Sequence, residues 1–186
     1  MAKPTALLKC SSRLLGRPDV IARVRDIEKA YALRFVSGGG EQINAAFSER
    51  GWDNTFGPFG RVCESFDQRL VAENVLKHNA ASLEDQLQGA GLPAHMVLPV
   101  LDSEVGQVTC HVNGDLFPII CYNGYDRFFV FTFDEDVVRK KWYYCAMWQI
   151  NRLHLANRTT ARVITINEDD YPEKIEVVGF PDVAQQ

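Results

Sequence analysis

Histidine is scarce in this chain, and the cysteines fall into no spacing that would hold a metal ion. Its 186 residues include 4 histidines, His78, His95, His111 and His154, which are scattered along the sequence. The 5 cysteines (Cys10, Cys63, Cys110, Cys121 and Cys145) contain no Cys-x-x-Cys pair. Cys110 and His111 are adjacent on a predicted strand, so their side chains leave opposite faces and cannot share one ion. A closed tetrahedral site needs four converging ligands, and no metal site is expected. An odd cysteine count with three members in predicted core elements fits reduced thiols in the cytoplasm better than a disulfide framework. No apolar run approaches the roughly 20 residues that span a bilayer, so no membrane association is expected. The Lys and Ser/Thr of a P-loop are missing after the only glycine run, and no second glycine pattern follows at dinucleotide spacing. The acid-x-Lys pattern of metal-dependent nucleases is missing from the Phe-rich strand that ought to carry it. Neither a catalytic residue nor a cofactor is therefore expected.

What is present is ordinary for a folded chain. Hydrophobic residues make up 46% and charged residues 24%, which excludes disorder as the default. The length suffices for one cored domain or a domain with an extension. The charge is uneven. Residues 1–36 carry eight basic and three acidic side chains, a net +5, so the total of −4 leaves −9 for the remainder. Arg13, Arg17, Arg23 and Arg25 belong to this basic segment. It reads as a solvated helix lying on its own acidic domain, as an arm for nucleic acid, or, being acid-free over its first 18 residues, as something like a transit peptide.

The strongest local pattern runs from Gln107 to Phe180. Asn113-Gly114 and Asn123-Gly124 each separate runs rich in β-branched and aromatic residues, the type I′ hairpin signature. Val108, Cys110 and Val112 alternate with wetter neighbours, and Pro118 in the second run suggests an edge or a bulge. The third run, Arg127 to Phe133, is apolar on both faces and belongs inside a sheet. Asp134 is a candidate N-cap for a long aromatic helix from Glu135 to Leu155, with Glu135 and Asp136 favoured by the helix dipole. A second hairpin is expected from 161–167 and 174–180, joined by an acidic Pro-containing loop. The fold class expected is α+β: an antiparallel sheet, made of a three-stranded meander plus a C-terminal hairpin, packed by that helix.

Residues 1–80 read as a mainly helical region and 81–186 as the α+β domain. Asp19 to Val36 is expected as one helix, from the spacing of Val20, Ile21, Val24, Ile27, Tyr31 and Phe35 after Pro18. Gly38-Gly39-Gly40 then reads as a C-cap and hinge between helices in preference to a phosphate cradle. Helices are expected over 41–50, 65–78 and 82–89. Trp52, Phe56 and Phe59 lie on a glycine-rich loop, where they either plug the loop onto the core or anchor a partner.

From about Leu83 to Phe180 the pattern resembles the YbjN-like family and, more distantly, the type III secretion chaperone-like fold. The likeness rests on Leu83…Leu87-Gln88-Gly89-Ala90-Gly91-Leu92, the meander, the long helix ending in Ile150-Asn151-Arg152-Leu153-His154, and the hairpin. The resemblance implies a protein-binding module, often dimeric, that is not an enzyme. The function expected is accordingly non-catalytic protein binding, as a chaperone, adaptor, inhibitor or assembly component. Trp52, Phe56, Phe59, Arg13, Arg17, Arg23 and Arg25 are its candidate contact residues. Nucleic-acid binding through the basic arm, on a degenerate nuclease-like core, is the alternative, and a structural part of a larger particle is the third reading.

Overall fold

The computed structural model describes residues 2–14, 16–57, 60–97, 124–136 and 174–181. Its first element corrects the reading of the N-terminus. Thr5–Cys10 is a strand, β1, and every residue after Thr5 in it is buried. Ala6, Leu7, Leu8 and Cys10 bury both faces, which is how a strand inside a parallel sheet reads in sequence. A 3-10 turn over Ser12–Leu14 leads to α1, Pro18–Ala30, with proline in its first turn. Val20, Val24 and Ile27 are its buried stripe. The helix stops at Tyr31, which is already extended, and Ala32–Ser37 forms β2. The single long helix expected over 19–36 is thus a helix and a strand. Tyr31 and Phe35 keep helical spacing, but Leu33, Phe35 and the exposed Arg34 alternate with period two.

Next come α2, Gly40–Ser48, and a small antiparallel hairpin of β3, Phe56–Gly57, and β4, Gly60–Arg61. α3 runs unbroken over Phe66–Gly89 and merges the two helices expected there. Ser65 caps it by accepting from Gln68 N at 3.1 Å. Residue 80 lies within α3. The remaining described strands are β5, Arg127–Thr132, and β6, Ile175–Gly179.

β2, β1, β5 and β6 form one four-stranded sheet in that order, and every pairing in it is parallel. The antiparallel sheet expected is overturned. Asn-Gly turns advertise hairpins locally, whereas β1 and β5 pair across about 120 residues of chain, a contact no local signal announces. The meander strand 107–112, its partner 115–122, the helix beyond Asp136 and the strand 161–167 lie outside the described residues. The expectation that Arg127–Phe133 supplies an inner strand does hold: β5 lies between β1 and β6, and Phe128 to Phe131 are all buried.

α1 and the second half of α3 cover one face of the sheet, where Val24, Ile27, Leu83 and Leu87 meet Ala6, Leu8, Phe35, Phe129 and Phe131. On the other face Leu7, Val36 and Phe128 pack with Val97, Tyr125 and Ile175. A third cluster joins α2 to the first half of α3 through Ile43, Phe47, Cys63, Ala72 and Leu76.

Phe131 is 0% exposed and Phe66 is 69% exposed. Phe131→Ala should cost about 3–5 kcal/mol in urea unfolding. Phe66→Ala should stay within about 0.5 kcal/mol. Equal effects would place β5 wrongly.

Candidate functional site

In open parallel α/β sheets, ligands bind beyond the carboxyl ends of the strands, at the point where successive connections leave in opposite directions. Here that point lies between β1 and β5. From β1 the chain passes to β2 on one side, and from β5 the next described strand, β6, lies on the other. Three segments meet at this edge: Ser11 to Leu14 after β1, Gly38 to Gly40 after β2, and Phe133 to Glu135 after β5.

The glycine run is a strand-to-helix turn and not a hinge between helices. Gly38 N donates to Cys10 O at 3.0 Å, which stitches the β2 turn to the end of β1. From α3, Asn79 Nδ2 donates to Gly38 O at 2.9 Å. A Cβ on Gly39 would stand 3.0 Å from Leu76 Cδ2 and 3.3 Å from Asn79 Nδ2. Gly39 is also the N-cap of α2, and no side chain caps that helix, so its first-turn N–H groups face outward with the positive end of the dipole.

Two cations are desolvated at or beside this edge. Lys9, the penultimate residue of β1, is buried beside Val36 and Val130. Arg61, on β4, is 1% exposed. Its Nη2 donates to Gly40 O at 3.3 Å, and its guanidinium also reaches the side-chain oxygens of Asn44 and Asn54. It stacks over Phe56 at 4.6 Å and Phe47 at 5.2 Å, and Arg61 Nε has no partner. Among the described residues no carboxylate pairs with Arg61. Burial pulls its pKa below the ordinary arginine value. Sequence reasoning missed both residues. The signals were a lone lysine inside an apolar strand and an arginine following the sequence Gly-Pro-Phe-Gly.

The remaining expected contact residues are spread over different elements. Arg13 lies over Phe133 at 4.8 Å, with its Nη1 3.8 Å from Glu41 Oε1. Arg17 is sandwiched near Phe133 and Phe180, chelates Asp19 and donates to Pro181 O at 2.7 Å. Arg23 pairs with Glu176 at 2.9 Å, and Arg25 donates to Ala90 O at 2.8 Å. Trp52 is half-buried, edge-on to Phe47, and Phe56 is exposed. Phe59 lies outside the described residues. The arginines therefore form no free arm. They follow a buried central strand and are held by the body of the protein.

No family model and no curated protein matches the sequence. A solved structure of N-acetylglutamate synthase from Neisseria gonorrhoeae, complexed with coenzyme A and N-acetyl-glutamate, matches with a TM-score of 0.42 at 12% identity. The match covers 73% of this chain and 43% of that one. The expectations of a non-catalytic protein-binding module and of no enzymatic role are corrected by the all-parallel sheet. The antiparallel framework on which they were built is not there. Among the described residues no helix is long and apolar enough to cross a membrane, and no group of three or more His, Cys, Asp or Glu could hold a metal ion.

Cys10 ends β1 at this edge, and burial pushes its thiol up to about 12, only partly offset by nearby Lys9. A thiol whose folded pKa lies above its unfolded value of about 8.5 contributes stability that is complete below that value. The contribution is lost as pH rises towards 12. Native protein at pH 8 should resist alkylation at Cys10, and Cys10→Ala should flatten the fall in melting temperature between about pH 9 and 11. Rapid native labelling of Cys10 would contradict its burial.

Proposed function

We propose that the chain binds a phosphate-bearing small molecule at the carboxyl edge of its parallel sheet, as an enzyme of the phosphoryl-transfer type. The observation that carries this reading is the meeting, at the switch point of the sheet, of the turn after β1 with a glycine turn opening a helix that no side chain caps. Anions are favoured there by outward N–H groups and the helix dipole. Lys9, buried near the end of β1, would add positive potential to that edge. Phosphoryl transfer suits such an edge because its catalysis is mostly positioning and charge stabilisation, with little covalent chemistry left to the protein. Cys10, held as a neutral thiol, is not its nucleophile.

Arg61 supports the same reading from behind. Its guanidinium grips the first residue of α2 and adds positive potential to a helix end that already favours anions. A buried cation with only neutral partners is costly, and a bound anion nearby offsets that cost. The buried thiols Cys10 and Cys63 support a cytoplasmic setting.

Isothermal titration with pyrophosphate, ADP and ATP, with and without magnesium, tests the proposal. Saturable binding is expected, and Lys9→Met should weaken it about 10- to 100-fold, the range of a charge-assisted hydrogen bond. Far-UV dichroism should be unchanged by that substitution. Absence of saturable heat with all three ligands sinks the reading.

A further inference from the structure

Residues at or just before the start of all four strands of the sheet line one open cleft, at the edge opposite the turns that follow β1, β2 and β5. They are Pro4, Tyr31, Asp126, Arg127 and Lys174, and the cleft holds about 570 Å³, within the range of small-molecule sites. Pro4 and Tyr31 directly precede β1 and β2, Arg127 opens β5, and Lys174 directly precedes β6. The walls are tied in place. Ala32 N donates to Pro4 O at 2.8 Å, and Asp126 N donates to Thr5 O at 2.9 Å. Asp126 Oδ2 in turn accepts from Thr5 N at 2.7 Å and from Thr5 Oγ1 at 3.2 Å. The Tyr31 ring stands edge-on to Phe129, with 5.6 Å between centroids.

Two cations and one carboxylate give the lining a net charge of +1. Phe128 and Ile175 are partners in the parallel register, so Arg127 and Lys174 stand at one level on neighbouring strands. Like charges so placed destabilise a sheet, and an anion between them offsets that cost. Both side chains have other interactions as well. A guanidinium and an ammonium each carry several donors, so a further acceptor needs no exchange of partners. One negative charge suits this balance, because a second would be repelled by Asp126. Pro4 and Tyr31 add ring surface on which a flat apolar body can lie. We propose that this cleft binds a small aromatic monocarboxylate, its carboxylate between Arg127 and Lys174 and its ring against Pro4 and Tyr31. The length of β1, at about 3.3 Å per residue, puts roughly 20 Å between the cleft and the carboxyl edge, so the two sites stand apart.

Titration of the full chain with benzoate, followed by saturation-transfer NMR, tests the assignment. Saturable binding is expected, and benzamide, the neutral counterpart, should bind about fivefold more weakly, the upper range of an exposed ion pair. Acetate should also bind more weakly than benzoate, because it has no ring to bury. Lys174→Gln and Arg127→Gln should each lower benzoate affinity about fivefold, and Lys174→Arg should keep it. Thermal melting checks that each variant folds, and the comparison of ligands on the wild type decides even where one does not. Saturating pyrophosphate should leave benzoate affinity unchanged. Competition between the two would show that the cleft takes any anion or that benzoate sits elsewhere, and would overturn the assignment. Equal affinity for benzoate and benzamide, or benzoate binding indifferent to both Gln variants, overturns it too. So does the absence of saturable benzoate binding by the wild type, whatever pyrophosphate does.

Discussion

Everything described in this protein hangs on six residues. β1, Thr5–Cys10, is hydrogen-bonded to β2 on one side and β5 on the other, so it has no free edge. Its two faces close two different hydrophobic clusters, one through Ala6 and Leu8 and the other through Leu7. A strand in that position must be apolar throughout, and a single charge in it is expensive unless something compensates. Lys9 is that charge. Its place one residue before the end of the strand keeps it near the edge where the three turns meet.

Arg61 follows the same logic from the opposite side of the glycine turn. Replacing a buried cation by an apolar side chain of similar size often stabilises a protein, so its retention is weak evidence for a purely structural role. The oxygens that receive it, Gly40 O and the side chains of Asn44 and Asn54, are neutral, and the rings of Phe47 and Phe56 add polarisable contact without charge. Neutral partners take the hydrogen bonds of its two Nη atoms, Nε has none, and its field is directed at a helix start that is itself positive. Gly39 makes the geometry possible, since a side chain there would press on Leu76 and Asn79, the residues that fix the turn from α3.

The sequence disclosed those features that are encoded locally. The stripe of Val20, Val24 and Ile27, the Ser65 cap and the two-faced burial of Phe128 to Phe131 are visible to periodicity and capping rules. Parallel pairing was not legible, because it joins segments far apart and leaves no turn signature between them. The same blindness hid the site. Gly38 to Gly40 looks like a break between helices as long as 19–36 is taken as one helix. Once Ala32–Ser37 is a strand, the identical glycines become a strand-to-helix turn. One misassigned period therefore concealed both β2 and the turn at its end.

The charge asymmetry finds its explanation in this topology as well. A basic segment and an acidic remainder suggest an arm and a body when the chain is imagined in order. In the folded protein the segments are interleaved: β1 and α1 dock against elements from the far end of the sequence. Arg23 meets Glu176 of β6, and Thr5 N donates to Asp126 Oδ2 at 2.7 Å beside β5. Opposite charges separated along the chain are thus brought together by parallel pairing, which lowers the long-range repulsion within the acidic part. Arg13 faces Glu41 across the turn after β1, so there too a basic residue of the first segment meets an acid outside it.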